Sequence, residues 1–465
     1  MLNKINLSLI TNLNKLHQLK FKKNKIENKK NIKAWVVTAD MGYGHQRAVY
    51  PLKDIAEGNI ITVGSDEAAS SNEKKLWKRV LGAYEFLSRA KGIPFIGNPI
   101  FNLLDTFLHI PKFYPMRDLS NTTFQVDLLK SSIEKGLCSG MLEKIRTKDI
   151  PVVTSFYASS IAADLKSFHK VYCIICDADL NRVWVAKEPW ESRIIYMAPC
   201  GKAAQRLKAY GVPDERIFIT GFPLPIELLG DENLSRLKKS LAQRLMQLDP
   251  NNKFWPRHGI NVKHFIGEEN WVLKKERKFT ITYTVGGAGA QKEIGGRIAA
   301  SLKEKILNNE VKLILAAGIK ENVKDYFKSI KSDISNDDSQ IEIIFSDNLH
   351  DYFDKFNKAM AGTDILWTKP SELSFYSALG IPIIMTPPIG SQEKFNAKYL
   401  FEIHAGIKQE NPDYTDQWLF EYLKKGRLAE AAWSGFLKVR KLGTYKIMEI
   451  LETGIMKSED SPVIR

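Results

Sequence analysis

The stretch Lys33-Ala34-Trp35-Val36-Val37-Thr38-Ala39-Asp40-Met41-Gly42-Tyr43-Gly44-His45 decides the fold. Its first part, Lys33 to Thr38, is an apolar, β-branched run that reads as a buried strand, and Arg47 to Ala56 beyond the glycines reads as helix. A strand that ends in a glycine turn and opens a helix sets backbone N–H groups and a helix N-terminus at the carboxyl end of a sheet. Open α/β sheets bind ligands there. A lone Gly-x-Gly is also what a plain tight turn needs, so the weight falls on whether the module recurs.

It does recur: the strand-like Phe279 to Val285 opens into Gly286-Gly287-Ala288-Gly289-Ala290, with a helix expected over Lys292 to Leu307. Around the first module, strands are predicted at Ile60 to Val63, Val152 to Ser155, Val171 to Ile175, Arg193 to Met197 and Ile217 to Thr220. Around the second they are predicted at Lys312 to Ala316, Glu342 to Phe345, Ile365 to Trp367 and Ile381 to Thr386. Strands alternating with helical stretches such as Ala203 to Tyr210 predict parallel, doubly wound sheets. A chain of 465 residues exceeds what one core usually supports. The expected fold is therefore α/β, with two Rossmann-like domains facing each other across a cleft. The boundaries read as a basic arm 1–32, a first domain 33–230, an insertion and linker 231–278, a second domain 279–430, and a closing helix and tail 431–465. Within the linker, a charged helix up to Leu248 gives way to an irregular Pro250 to Gly267, and Ala68 to Arg146 reads as helical and unusually apolar.

Composition narrows the function. A hydrophobic fraction of 44% with 26% charged residues is that of a folded globular chain. The formal charge of +15 favours polyanionic partners: anionic lipid headgroups, phosphorylated small molecules or nucleic acid. Scattered basic residues and the lack of a recognition module argue against nucleic acid. Four cysteines are too few for a disulfide scaffold and fit a reducing cytoplasm; Cys173 and Cys176 lie in a strand, three apart, on opposite faces, so no zinc site is expected. The longest apolar runs, such as Ile381 to Pro388, are too short to span a bilayer. The lysine-rich arm is not a secretion signal; it reads as a solvated leader or as a contact for anionic lipid, while the aromatic Phe101 to Tyr114 segment reads as amphipathic surface for a membrane interface or as an ordinary core helix pair.

Several separated landmarks arrive in one order: Asp40-Met41-Gly42-Tyr43-Gly44-His45, Thr220 to Pro223, Gly286 to Ala290, Asp364 to Ser371, and Pro388-Ile389-Gly390-Ser391-Gln392-Glu393-Lys394-Phe395-Asn396-Ala397. In this combination, over roughly residues 33 to 405, the chain resembles the GT-B glycosyltransferases related to monogalactosyldiacylglycerol synthase and to the N-acetylglucosaminyltransferase that completes lipid II. The resemblance implies inverting transfer of a sugar from a nucleotide-diphosphate donor, with uridine as the base, to a lipid or other membrane-surface acceptor. No cofactor and no metal are implied, and the expected place is the cytoplasm, peripheral at the inner face of the plasma membrane.

The residues bear on that chemistry directly. A departing diphosphate needs fixed positive dipoles, which the amides of Gly286, Gly287, Ala288, Gly289 and Gln291 and the following helix N-terminus would supply. Glycine lets phosphate approach the backbone. An imidazole titrating near neutral pH suits removal of the acceptor proton, making His45 the expected base and Asp177 its expected orienting carboxylate. By the same resemblance Gly42, Gly44 and Asp179 fall on the acceptor side, while Gln392, Glu393 and Asn396 are implied to hold sugar hydroxyls, for which amide and carboxylate groups are suited. Asp177-Ala178-Asp179 is also a DxD pair, which in another glycosyltransferase fold chelates a divalent cation, but here it follows a strand of the first domain. The position where the resembling family binds ribose with a glutamate is Phe375, which leaves Glu372, one turn earlier, as the substitute. Two alternatives stay open: a sugar epimerase on the same architecture, which wants several carboxylates where few appear in the loops, and a non-catalytic nucleotide-binding relative.

Overall fold

The structure is a computed structural model that describes residues 32–65, 69–79, 110–270, 277–287, 289–458, 463 and 465. All of the basic arm except Ile32, the stretch Phe101 to Leu108, and Ala288 lie outside the described residues.

Two six-stranded parallel sheets carry the fold. The first is built from β1 (Trp35–Ala39), β2 (Ile61–Val63), β3 (Val152–Thr154), β4 (Val171–Ile174), β5 (Ile195–Ala198) and β6 (Ile217–Ile219), in the order β2-β1-β3-β4-β5-β6. The second comprises β7 (Phe279–Thr284), β8 (Val311–Gly318), β9 (Ile341–Phe345), β10 (Ile365–Thr368), β11 (Ile383–Met385) and β12 (Gly406–Lys408), in the order β12-β11-β10-β7-β8-β9. All residues of β1 and β7 are buried, as expected for strands covered by helices on both faces. The chain thus has the expected two Rossmann-like domains of the GT-B arrangement. Among the described residues no helix is long and apolar enough to cross a membrane.

Two local expectations are corrected. The stretch Pro250 to Gly267 is not irregular: after the helix Ser235–Leu248 it forms a second helix, Trp255–Ile266. Pro256 sits in the first turn, where its missing N–H costs nothing, and the Asp249 carboxylate accepts the N–H groups of Lys253, Phe254 and Trp255. Between residues 110 and 146 helix is confined to Phe124–Glu134 and Ser139–Ile145. The three-residue β12 at the sheet edge had no visible sequence signal.

The strand orders create a reversal point in each sheet, between β1 and β3 and between β7 and β10, and the glycine loops that follow β1 and β7 face each other. The helix α1 (Tyr43–Val49) locks them together. Its Arg47 Nε donates to Glu372 Oε1 at 3.1 Å, with both side chains buried, and the guanidinium carbon lies 4.5 Å from the ring centroids of Phe353 and of Phe356. Phe222 and Phe375 stack across the domains at 5.3 Å. The last helix, α2 (Gly443–Thr453), returns to the first domain, where Thr444 Oγ1 donates to the Leu224 carbonyl at 2.5 Å.

Leaving a buried charge unpaired costs about 3–5 kcal/mol. Arg47→Met and Glu372→Gln are each expected to lower chemical-unfolding stability by that amount, and the double variant by clearly less than their sum. Single variants within about 1 kcal/mol of the parent would show that the pair does not hold the lobes.

Candidate functional site

The loops of the two reversal points are in van der Waals contact. A Cβ on Gly287 would lie 3.3 Å from the Tyr43 nitrogen and 3.4 Å from Gly42 Cα, and one on Gly44 would lie 3.3 Å from Glu372 Oε2. Gly42 has φ of 95°, a left-handed conformation that a side chain would strain. The sequence-predicted residues Gly42, Gly44, Gly287 and Glu372 therefore meet where the two domains touch, with His45 and Gly286 next to them in the chain.

His45 is partly buried beside the rings of Phe156 and Trp184, with centroids 5.1 and 5.9 Å away. Its Nδ1 lies 2.7 Å from the Ser155 carbonyl oxygen. A carbonyl only accepts, so Nδ1 carries the proton and the neutral ring keeps a lone pair on Nε2. Desolvation lowers the imidazole pKa against the opposing pull of the Ser155 bond and of Glu372, so the neutral form prevails at physiological pH. Ser155 fixes the loop further, its Oγ donating to the His45 carbonyl at 2.7 Å.

Asp177 leaves β4 on the same side. Its Oδ1 accepts from Asn396 Nδ2 at 2.8 Å, and Asn396 Oδ1 accepts from the Ala178 N–H at 2.9 Å, so one amide of the second domain clamps the end of β4. Burial, aided by the charges of Glu372 and Glu393, pushes the Asp177 carboxyl up to about 6, although the Asn396 bond and Lys369 oppose the shift. Asn396 is thus spent on the interdomain clamp, and its expected contact with a sugar hydroxyl has no free amide to make it.

On the second domain the sequence reading missed Lys369, although the signal was present: a lysine directly after a strand and before Pro370, at the reversal point. Its stem occupies the space that a Cβ on Gly286 would need, which brings the ammonium to the glycine turn. There Nζ donates to Glu393 Oε1 at 2.6 Å while Glu393 Oε2 accepts the Ile389 N–H at 2.7 Å. Gln392 is half-buried next to Glu393. Tyr43 was missed as well. Its hydroxyl accepts the Ile319 N–H at 3.0 Å, and a Cβ on Gly318 would overlap that hydroxyl. The phenol thus stands at the carboxyl end of β8, while Lys369, Gln392 and Glu393 lie in the segments that follow β10 and β11.

Other expected residues serve elsewhere. Asp179 does not reach an acceptor: it is fully buried in a two-point bond with Arg206, at 2.7 and 3.0 Å. The Gln291 side chain is tied to the loop after β11, accepting from Thr386 and donating to the Pro387 carbonyl, whereas the expectation concerned its backbone N–H. The Gly289 N–H is taken by the Gly286 carbonyl at 2.7 Å. Glu372, offered as the ribose ligand, already binds Arg47, and Phe375 is sealed in the core. Among the described residues no group of three or more His, Cys, Asp or Glu side chains is placed to hold a metal ion.

A family profile described as a domain of unknown function, DUF6938, matches residues 321–447. No curated protein sequence matches the chain. Among solved structures, the chain is similar to S. aureus MnaA determined with UDP, at 12% identity and a TM-score of 0.46, over 92% of this chain and 100% of that one. It is similar to the UDP-GlcNAc 2-epimerase of Neisseria meningitidis at 14% identity and 0.41, over 76% and 88%. It is similar to MurG of Acinetobacter baumannii at 14% identity and 0.40, over 70% and 78%.

The raised carboxyl of Asp177 has a signed consequence. Between its unfolded value of 3.8 and about 6 the native state holds a proton that the unfolded chain has lost, so this group's contribution to stability falls as pH rises through that window. Asp177→Asn removes the effect. The melting temperature of the variant minus that of the parent is expected to grow from pH 4 to pH 7; a flat difference would mean that the carboxyl ionises normally.

Proposed function

We propose that the crevice above β10 and β11 binds a nucleotide-diphosphate sugar, with a UDP-sugar as the donor, and that His45 of the facing lobe is the general base of an inverting glycosyl transfer. The observation that carries this reading is an imidazole fixed as the Nδ1–H tautomer by Ser155, on a loop that touches Gly287 next to the Gly286 turn where Lys369 lies. In the reaction His45 Nε2 takes the acceptor hydroxyl proton as its oxygen attacks the anomeric carbon, and the bond to the diphosphate breaks. Lys369 and the Gly287 amide offset the charge gathering on the leaving group. Gln392 and Glu393 hold sugar hydroxyls. The ordered landmarks of the sequence support the same reading, and the net charge of +15 supports an acceptor presented on an anionic membrane surface at the cytoplasmic face.

One observation favours a second reading, epimerisation of the sugar. Few carboxylates stand out in the loops of the sequence, yet folding gathers Asp177, Glu372 and Glu393 closely enough that the latter two raise the pKa of the first. Such groups can remove and return a ring proton.

Incubation with UDP-N-acetylglucosamine in deuterated water, followed by NMR, separates the readings. Transfer or slow hydrolysis liberates UDP without labelling the sugar, whereas epimerisation places deuterium on a ring carbon of recovered UDP-sugar. His45→Ala is expected to lower sugar transfer by roughly 10²–10⁴-fold with UDP affinity retained. Calorimetry in which neither UDP nor any other nucleotide binds would sink both readings in favour of a non-catalytic relative.

A further inference from the structure

A cavity of about 340 Å³ opens at the carboxyl ends of β1 and β2, lined by Ala39, Asp40, Met41, Trp77, Lys74 and Lys78 among others. Its wall is built and fixed. The ring of Trp77 packs so closely on Gly64 that a Cβ there would overlap it, and its Nε1 donates to Glu73 Oε1 at 3.2 Å. Glu73, itself buried, is held in turn by Ser139 Oγ at 3.0 Å and by the Gly140 N–H at 2.9 Å. Trp77 also contacts Phe156, at 5.9 Å between centroids, and Phe156 contacts His45 at 5.1 Å, so one aromatic ring separates the cavity wall from the proposed base.

The charges are arranged around this apolar wall. Lys74 and Lys78 stand one helical turn apart on the segment 71–79, and no carboxylate among the described residues pairs with either. Asp40, whose carboxylate accepts from Gln46 Nε2 at 3.0 Å, is the one acid among the described lining residues, against the two lysines. Apolar surface, two ammonium groups and one hydroxyl-binding carboxylate suit a particular chemistry. We propose that this cavity binds an amphipathic phosphate monoester or diester that carries a free hydroxyl, with its anionic group at Lys74 and Lys78, its apolar body on Trp77 and Met41, and its hydroxyl near Asp40. This binding site does not rest on the function proposed above.

The test uses the full chain, with n-octyl phosphate as probe and calorimetry as readout. Saturable binding is expected, with inorganic phosphate and neutral octyl glucoside each at least about tenfold weaker, because each lacks one half of the recognised chemistry. The Lys74→Glu, Lys78→Glu double variant is expected to lose about tenfold or more in octyl phosphate affinity, with UDP affinity and melting temperature unchanged, while Lys74→Arg, Lys78→Arg retains binding. Co-sedimentation with phosphatidylglycerol vesicles that falls in the glutamate variant assigns a lipid headgroup, and retained octyl phosphate binding without vesicle binding assigns a soluble amphiphile. Octyl phosphate that fails to saturate, binds no better than inorganic phosphate, or ignores the charge reversal overturns the proposal. Octyl phosphate binding in a protein that binds no nucleotide would keep this site and remove the proposed function.

Discussion

A guanidinium cannot remain between two packed domains without a counter-charge, and Arg47 meets that condition through Glu372. The pair fixes where α1 lies against the second domain, and α1 begins directly at the first glycine loop. Everything close in the crevice follows from that placement. Gly44 lies against the Glu372 carboxylate and Gly287 against Tyr43, where an added Cβ would make tight contacts of 3.3 Å across the domains. His45 sits on the same helix two residues before Arg47, so the anchor of the interface and the proposed base share one rigid element.

The same contact makes the crevice asymmetric. Tyr43, in the slot between Gly287 and Gly318, takes the backbone donor at the end of β8 and closes that half of the second sheet. Its hydroxyl stays protonated across the physiological range, because burial pushes its pKa up to about 12. The β10 and β11 side carries the salt-bridged Lys369 and Glu393 and the neighbouring Gln392. Lys369 serves two ends there: it neutralises Glu393 and presents positive charge at the turn where a diphosphate would approach.

The alternation of apolar runs with helical stretches made both sheets legible, because parallel strands buried on both faces leave long hydrophobic signatures such as Phe279 to Thr284. The glycine loops were legible as positions, since strand, glycine and helix follow one another in the chain. Pairings across the domains were not. Arg47 and Glu372 are 325 residues apart, and nothing in an amphipathic helix says which charged side chain will be buried. For the same reason Asp179 read as a possible ligand although Arg206 claims both of its oxygens, and Asn396 read as a sugar contact although it clamps β4. In the stretch read as irregular, Pro256 falls in the first turn of a helix, where its missing N–H costs nothing and Asp249 accepts the neighbouring amides.

Phe375 shows how an apparent loss at a site can be a change of packing. A glutamate there would have its carboxylate in the space now filled by stacked rings, since Phe375 is fully buried between Phe222 and Tyr399. The aromatic contact joins the two domains at a point where the buried Arg47–Glu372 pair already holds them, and both Glu372 and Phe375 lie on the same 3₁₀ segment, Glu372–Leu379. One short segment therefore supplies an ionic and an apolar fastening to the first domain, and neither of its candidate ribose ligands is left to face the crevice. On the proposed reading, recognition of the nucleotide then falls to the loops after β10 and β11, where Gln392 brings a neutral amide that both donates and accepts. A neutral amide beside the salt-bridged Glu393 can hold a pair of hydroxyls without adding negative charge next to a diphosphate.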